Sequence, residues 1–393
     1  MLEKVWSKKE RARVQKRLEA VCKNGPVEDL TAFLATLSDE KVEVLLQAPS
    51  VGNDQLSCLH LAAATNQPLI LDYLITNYAY LFPDVRKDYA RTPLHEAALH
   101  GHADVVQILL RHGALVGAHT TRGRTPLMYA ARGGHVDVIK LLLNAGANVN
   151  DQSETGLTAL YEAAKHGRAD AVDFLLTCPH VDVNLGSHTK HTPLHIAIGE
   201  GHLTVAERLI AGGANSAAQD AMGVTVWHEA AGLQSLAGME LLVRHNIPLR
   251  DDHVDVVLAR HPFHYAAVEG HAAFCAALLA ANMVDVNLQD VDGCTGLYYA
   301  SANGHAHVVQ VLLDAHADVN LASIRRTPLH CAVMWQRESC VQLLLAHGAS
   351  MDAADKDGKT AKDLAQGYPA MAALFDQVIK TSCSVLNITD VTV

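Results

Sequence analysis

Arg-Thr-Pro-Leu-His-Glu-Ala-Ala, residues Arg91–Ala98, returns 33 residues later as Arg-Thr-Pro-Leu-Met-Tyr-Ala-Ala, residues Arg124–Ala131. Each copy runs on into Gly-His and a stripe of Val, Ile and Leu, and closes on Gly-Ala. A fixed period between roughly 20 and 50 residues is typical of stacked repeats, in which each unit contacts only its neighbours. The repetition therefore predicts an array of stacked units and argues against a single closed core.

The residues of one copy specify two short helices. Thr92 suits a helix N-cap, because its hydroxyl accepts a hydrogen bond from an amide of the first turn, and Pro93 suits the first helical position. Ala97 and Ala98 are small enough for a neighbouring helix to approach closely, and Gly101 suits the left-handed residue that ends a helix. The apolar residues that follow recur at i, i+1, i+4 and i+5, which predicts a second helix. Each helix pair leaves an apolar face that only stacking can bury.

These copies resemble the ankyrin repeat family, whose signature is Thr-Pro-Leu-His-x-Ala-Ala. The capping position can be followed through ten copies, at Ser57, Thr92, Thr125, Thr158, Thr192, Thr225, His261, Thr295, Thr327 and Thr360. The resemblance implies an all-α fold, an ankyrin-repeat solenoid of stacked helix pairs joined by β-hairpin-like loops. It also implies that the chain binds other proteins.

Four segments are predicted along the chain. Residues 1–24 form a basic N-terminal helix, 25–53 a degenerate opening helix pair, 54–378 the repeat array and 379–393 a flexible tail. The basic helix has three interpretations: a cap on the end of the array, a nuclear-import signal, or an anchor on an acidic surface.

Composition limits the remaining functions. The formal net charge of −11 argues against nucleic acid as a partner. The sequence has no run of about 18 apolar residues, so no transmembrane segment is predicted. The eight cysteines show no paired C-x-x-C spacing and no signal peptide is visible, so a reduced compartment, the cytoplasm or also the nucleus, is expected.

The 24 histidines do not form a recognisable metal motif. In the family, the histidine of the signature bridges backbone groups of adjacent copies, and that position is occupied here by His60, His95, His195, His228, His264 and His330. No zinc-finger or His-Glu-x-x-His spacing is present, and no nucleophile elbow, phosphate-binding loop or dinucleotide fingerprint occurs. We therefore expect no metal, no cofactor, no small-molecule substrate and no enzymatic activity.

The resemblance also indicates where a partner would bind. Family members use the hairpin tips, the residue before the capping threonine and the two residues after Ala-Ala. Those positions hold Tyr89, Arg91, Leu99, His100, Arg122, Arg124, Arg132, Leu157, Lys165, His166, His188, Lys190 and His191. A second cluster comprises Ile324, Arg325, Arg326, Met334 and Trp335, although partial core burial is favoured over an anchoring role for Trp335. The first group is basic on an acidic protein, which predicts an acidic protein or peptide partner.

The function predicted from the sequence is a non-catalytic interaction scaffold or adaptor. Two alternatives stay open: a substrate-recognition subunit of a ubiquitin ligase or similar complex, and a membrane-surface adaptor that uses the basic N-terminal helix. Asp-Val-Asn recurs at 182–184, 285–287 and 318–320, which resembles sites hydroxylated on asparagine in this family but is also typical of a hairpin turn.

Overall fold

The computed structural model describes residues 7–47, 57–86, 88–233 and 236–377. The chain divides into two compact units, unit 1 (Met1–Asn215) and unit 2 (Ser216–Val393). Both are built from short α-helices joined by turns, as predicted for an all-α solenoid. The described residues contain no β-strand beyond two isolated bridges, Gln289 with Thr295 and Ala354 with Thr360.

The helices of unit 1 are α1 (Lys8–Asn24), α2 (Val27–Ala35), α3 (Asp39–Gln47), α4 (Cys58–Ala64), α5 (Pro68–Asn77), α6 (Pro93–His100), α7 (Ala103–Arg111), α8 (Pro126–Gly133), α9 (Val136–Asn144), α10 (Ala159–Lys165), α11 (Ala169–Leu176), α12 (Pro193–Gly199) and α13 (Leu203–Ala211). Those of unit 2 are α14 (Val226–Gly232), α15 (Ala237–Arg244), α16 (Pro262–Glu269), α17 (Ala272–Ala280), α18 (Gly296–Asn303), α19 (Ala306–Asp314), α20 (Pro328–Met334), α21 (Glu338–Ala346) and α22 (Ala361–Ala365). Residues 369–377 are also helical, and the predicted tail, 379–393, lies outside the described residues.

All ten residues of the predicted capping column are helix N-caps. Thr125, for example, adopts an extended backbone, and its side chain accepts from the amide of Met128. Gly134 ends the same helix with a left-handed φ of 83°. The pattern of caps and stops therefore sets the length of each first helix locally.

Within each unit, equivalent helices of successive copies stack in two layers. The first helices pack in series from α4 to α12 in unit 1 and from α14 to α22 in unit 2. Ala97 and Ala98 of α6 are fully buried, as are Ala130 and Ala131 of α8. Their small side chains allow the close helix contact that the sequence predicted.

Histidines tie neighbouring copies together in the forward direction. The Nδ1 of His95 accepts from the Thr92 amide at 3.1 Å, so its Nε2 carries the proton and donates to the Arg124 carbonyl of the next copy, also at 3.1 Å. Burial lowers the pKa of His95 to about 4, which keeps the ring neutral. The same forward bond is made by His60, His228, His264 and His330. The bridging role that the resemblance implied is thus confirmed at these positions.

The Gly-His turns tie the copies together in the opposite direction. His102 bonds to the carbonyl of Ala64 at 3.1 Å, and His135 bonds to that of Leu99 at 3.0 Å. Arg168 replaces the histidine in the next copy, and its Nε donates to the Arg132 carbonyl at 3.0 Å. The interface between the second and third copies, for example, is fixed from both sides, by His95 reaching forward and His135 reaching backward.

The asparagines of the Asp-Val-Asn segments also connect copies. The side-chain oxygen of Asn184 accepts from the amide of Asn215, and that of Asn287 accepts from the amide of Asp318. The asparagines of these segments therefore have a structural role in the hairpin turns.

The basic helix α1 packs on the first repeat. The Thr65 hydroxyl donates to the Cys22 carbonyl at 3.4 Å, and the Gln67 amide donates to the Lys23 carbonyl at 3.0 Å. The side of α1 facing away from this contact carries four exposed cations, Lys9, Arg13, Lys16 and Lys23.

Candidate partner-binding surface

The hairpin tips of unit 1 are joined by backbone hydrogen bonds between successive copies. The Thr121 amide donates to the Tyr89 carbonyl at 2.7 Å, and the Glu154 amide donates to the Arg122 carbonyl at 3.0 Å. The His188 amide continues the series to a carbonyl of the fourth copy at 3.0 Å. Side chains far apart in the sequence therefore become neighbours along one edge of the unit.

We give the name basic ladder to ten of the predicted site residues in unit 1. Its members are Tyr89, Arg91, His100, Arg122, Arg124, Arg132, Lys165, His166, Lys190 and His191. Most of these side chains are exposed or half-buried rather than packed in the core. Six are Lys or Arg, and acidic residues at or beside the same repeat positions include Glu96, Glu154, Glu162 and Glu200, so the ladder has an excess of positive charge.

Tyr89 and Arg122 form the most exposed part of the ladder. The Tyr89 side chain is 65 % exposed, and the guanidinium carbon of Arg122 lies 5.9 Å from the centre of its ring. Together with Arg91, Thr120, Arg124 and Tyr129 they line a cleft of about 330 Å³. An aromatic ring beside a guanidinium group is a combination enriched in binding hot spots.

Two arginines of the ladder are held by buried carboxylates. Arg91 lies 3.1 Å from Glu96, whose side chain is 5 % exposed, and Arg124 lies 2.9 Å from Glu162, whose side chain is 2 % exposed. The Arg124–Glu162 contact is an ion pair without a well-aligned hydrogen bond, because Oε1 of Glu162 lies 2.9 Å from Arg124 but accepts no hydrogen bond of good geometry. Reversing the charge of Arg124 would therefore disturb the fold as well as the surface.

Glu162 connects two copies within the ladder. Its second carboxylate oxygen lies 3.7 Å from Nδ1 of His166, which itself donates to the Glu162 carbonyl at 2.9 Å. Arg124 and His166 thus meet at one carboxylate, although 41 residues separate them in the sequence. His191 makes a comparable contact with the Tyr161 hydroxyl at 3.2 Å.

The hairpin position two residues before the capping threonine is glycine in the third and fourth copies. Gly123 and Gly156 have left-handed φ angles of 68° and 80°. Lys190 occupies the same position in the fifth copy with φ of 60°, and Tyr89 also adopts a left-handed φ of 59°. Left-handed backbone is unfavourable for residues other than glycine and often accompanies functional sites.

The second predicted cluster, in unit 2, is only partly available to a partner. Trp335 is 60 % exposed and Ile324 is 69 % exposed, so the prediction of partial core burial for Trp335 was wrong. Trp335 is the C-cap of α20, beyond the helical residues that face the core. Arg325 is exposed, but Arg326 lies 3.3 Å from the buried carboxylate of Asp355 and 3.8 Å from Asp357. Arg326 is therefore largely neutralised.

Unit 2 has a row of apolar hairpin tips, of which the sequence analysis named only Ile324. Met222, Val256, Val257, Val291 and Ile324 are between 46 % and 69 % exposed. Backbone hydrogen bonds link these tips as they do in unit 1, for example from the Val256 amide to the Met222 carbonyl at 2.8 Å. Their position in the repeat could have identified them from the sequence, because all five residues precede a capping residue by three to five positions.

Residues 7–47, 57–86, 88–233 and 236–377 contain neither a membrane-spanning helix nor a metal-binding cluster. None of the helices there has the length and apolar character needed to cross a membrane. Over those same residues, His, Cys, Asp and Glu side chains nowhere assemble in groups of three or more that could hold a metal ion.

Comparison with known proteins gives the family. The family described as ankyrin repeats (3 copies) matches residues 20–120, 113–187 and 263–355, and the single ankyrin repeat matches residues 189–221. Together these matches cover more than half of the chain.

Similar proteins share only part of their length with this chain. The transient receptor potential cation channel subfamily A member 1 homolog of Caenorhabditis elegans is 29 % identical over 186 residues, which is 47 % of this chain and 15 % of the channel. The putative palmitoyltransferase ZDHHC13 of Danio rerio is 31 % identical over 185 residues, 46 % of this chain and 23 % of that protein. The E3 ubiquitin-protein ligase hecd-1 of Caenorhabditis elegans is 41 % identical over 88 residues, 22 % of this chain and 3 % of the ligase. The chain therefore spans less than a quarter of the length of each of these relatives.

Proposed function

Because the chain belongs to the ankyrin repeat family, a family of protein-interaction modules, we propose that it is a non-catalytic scaffold or adaptor whose basic ladder binds an acidic segment of a partner protein. The observation that carries this proposal is the row of exposed cations at the tips and helix ends of unit 1. Arg122, Lys165 and Lys190 are all exposed, and Arg122 lies beside the exposed ring of Tyr89.

The geometry suits an extended acidic peptide. Successive tips are fixed by backbone hydrogen bonds, so the cations they carry are already positioned before a partner arrives. Pre-organised side chains lose less conformational entropy on binding than mobile ones. The buried Glu96 and Glu162 hold Arg91 and Arg124. Of the four other Lys and Arg residues of the ladder, Arg132 is half-buried and Arg122, Lys165 and Lys190 are exposed to a partner.

Charge reversal at three exposed positions tests the proposal. The variant Arg122→Glu/Lys165→Glu/Lys190→Glu should bind a labelled oligoglutamate peptide at least about tenfold more weakly, because each cation then repels the ligand. A matched control, Lys9→Glu/Arg111→Glu/Lys140→Glu, changes the net charge equally at exposed sites outside the ladder.

The control should retain binding, and circular dichroism melts of both variants should match the wild type. Equal loss in both variants would mean that overall charge, and not the ladder, determines binding. Pull-down mass spectrometry with the same three proteins then identifies partners that the ladder variant loses and the control keeps.

A second candidate function is a membrane-surface adaptor that uses α1. Five exposed cations of α1, Lys9, Arg13, Lys16, Arg17 and Lys23, support it, since each Lys or Arg near an anionic bilayer contributes roughly 1 kcal/mol. Flotation with phosphatidylserine vesicles separates the two functions, because Lys9→Glu/Arg13→Glu/Lys16→Glu would abolish flotation only if α1 is the anchor. The ubiquitin-ligase alternative predicts ligase subunits among the partners recovered by pull-down.

A further inference from the structure

A cleft with a different character from the basic ladder lies near the start of unit 1. It is enclosed by α2, α3 and the end of α5, and has a volume of about 700 Å³. Its walls include the side chains of Tyr73, Tyr78, Tyr80, Asp39, Glu40 and Glu43. These residues lie in or next to the degenerate opening helix pair, where the repeat pattern gave no candidate site.

The three tyrosine rings form one contiguous aromatic wall. The ring centres of Tyr73 and Tyr78 are 6.2 Å apart with an interplanar angle of 74°, and those of Tyr78 and Tyr80 are 5.8 Å apart at 54°. All three side chains are half-buried, so they are neither closed into the core nor free in solvent. Leu34 and Val42, which also line the cleft, are buried beneath them.

The charged residues of the cleft all have the same sign. Asp39, Glu40 and Glu43 are exposed on one end of α3, and among the described residues that line the space there is no Lys, Arg or His. Asp39 and Glu40 lie in the first turn of α3, where the helix dipole also favours them, but Glu43 lies a turn later. The described charged side chains that line the cleft are therefore all carboxylates.

The hydroxyls of Tyr78 and Tyr80 stay protonated at physiological pH. Burial, with smaller contributions from neighbouring groups that include Asp39, raises the pKa of Tyr78 to about 12. Burial followed by the Glu43 carboxylate raises the pKa of Tyr80, also to about 12. Neutral phenol rings present the electron-rich faces that attract organic cations.

We propose that this tyrosine cleft binds the cationic head of a lysine or arginine side chain carried by a basic peptide. The carboxylates attract the charge, while the ring faces and the apolar floor contact the methylene stem and the partly desolvated cation. Neither part suffices alone, because exposed carboxylates bind a hydrated ammonium weakly. The site is separate from the basic ladder, so the two proposals succeed or fail independently.

Binding of a fluorescently labelled oligolysine peptide to the full chain, followed by anisotropy, tests the proposal. Asp39→Asn/Glu40→Gln/Glu43→Gln should weaken binding about fivefold or more, and Tyr78→Leu should also weaken it severalfold. The matched control is Asp104→Asn/Asp137→Asn/Asp170→Asn, which removes three exposed carboxylates from the first turns of α7, α9 and α11. The control should change affinity by less than about twofold.

Competition on the wild-type protein distinguishes an aromatic site from simple charge attraction. Tetramethylammonium chloride should displace the peptide at lower concentration than sodium chloride of equal ionic strength, because only the organic cation gains from the ring faces. Equal displacement by the two salts, or equal weakening in the control and the cleft variants, overturns the proposal. If circular dichroism shows that Tyr78→Leu does not fold, the salt competition decides the role of the rings.

Discussion

The ion pair between Arg124 and Glu162 allows a test of which ladder residues contribute to stability and which to the proposed binding. Arg124→Met removes the arginine that lies 2.9 Å from Glu162, whose side chain is 2 % exposed. The remaining cation, His166, is 3.7 Å from the other oxygen and is charged only when protonated. The substitution therefore leaves a buried carboxylate with poor compensation.

The expected loss of stability follows from this burial. Breaking a fully buried ion pair costs roughly 3–5 kcal/mol, but Arg124 is 23 % exposed and water can reach its side of the pair. We therefore expect Arg124→Met to lower the free energy of unfolding by about 1–3 kcal/mol. Arg122→Met, two residues away on an exposed tip, should change it by less than about 0.5 kcal/mol.

A double-mutant cycle in urea, followed by circular dichroism, measures the coupling. Glu162→Gln removes the buried charge while keeping its shape, so Arg124→Met/Glu162→Gln should unfold at a higher urea concentration than Arg124→Met alone. Binding of the acidic probe should respond in the opposite order, with Arg122→Met weakening it more than the double variant does. Equal urea midpoints for Arg124→Met and Arg122→Met, or no recovery in the double variant, would refute the reasoning.

Three further predictions concern stability. Lys190→Gly should stabilise the protein by roughly 0.5–1 kcal/mol, because glycine tolerates the left-handed φ of 60°, and should weaken binding of the acidic probe; a lower urea midpoint would contradict this. Burial lowers the pKa of His95 to about 4 and that of His261 to about 3, from 6.5, so below pH 6.5 the unfolded chain binds more protons than the folded chain. The stability that these two neutral histidines contribute should be complete above pH 6.5 and be lost as the pH falls through those two values. A melting temperature that stays constant from about pH 7 to about pH 4 would be inconsistent with this prediction. Trp335→Ala should cost less than about 0.5 kcal/mol because the side chain is 60 % exposed, whereas Trp227→Ala, which empties a fully buried position, should cost about 3–5 kcal/mol in the same urea assay.

The fold was predictable from the sequence because its determinants are local. A threonine followed by proline starts a helix wherever it occurs, and the regular spacing placed all ten caps, including the unusual His261. The all-α repeat architecture then follows from two helices per period. That the signature histidine bridges adjacent copies was implied by the family resemblance, and the bond from His95 to the Arg124 carbonyl confirms it.

The details of the surface were less predictable because they depend on distances between copies. Glu162 pairs with Arg124 of the preceding copy, whereas Glu96, at the equivalent position, pairs with Arg91 of its own copy. No single-copy pattern distinguishes these two cases. The tyrosine cleft brings Tyr78 to α3 from outside any recognisable signature, and Trp335 lies just past the end of a helix, where periodicity no longer indicates burial.

Hydrogen bonds between copies hold the hairpin tips of unit 1 in place, as the proposed role of the basic ladder requires. His95 and His135 hold the interface between the second and third copies, the first reaching forward and the second backward, and both bond to main-chain carbonyls. Because these bonds form when the chain folds, the tips that carry Tyr89 and Arg122 are positioned before any partner binds. A substitution at an exposed tip should then change affinity and leave stability almost constant, while a substitution at a bridging histidine should do the reverse. If tip variants instead lowered the urea midpoint as much as histidine variants, the tips would be structural and the basic ladder would lose its proposed role.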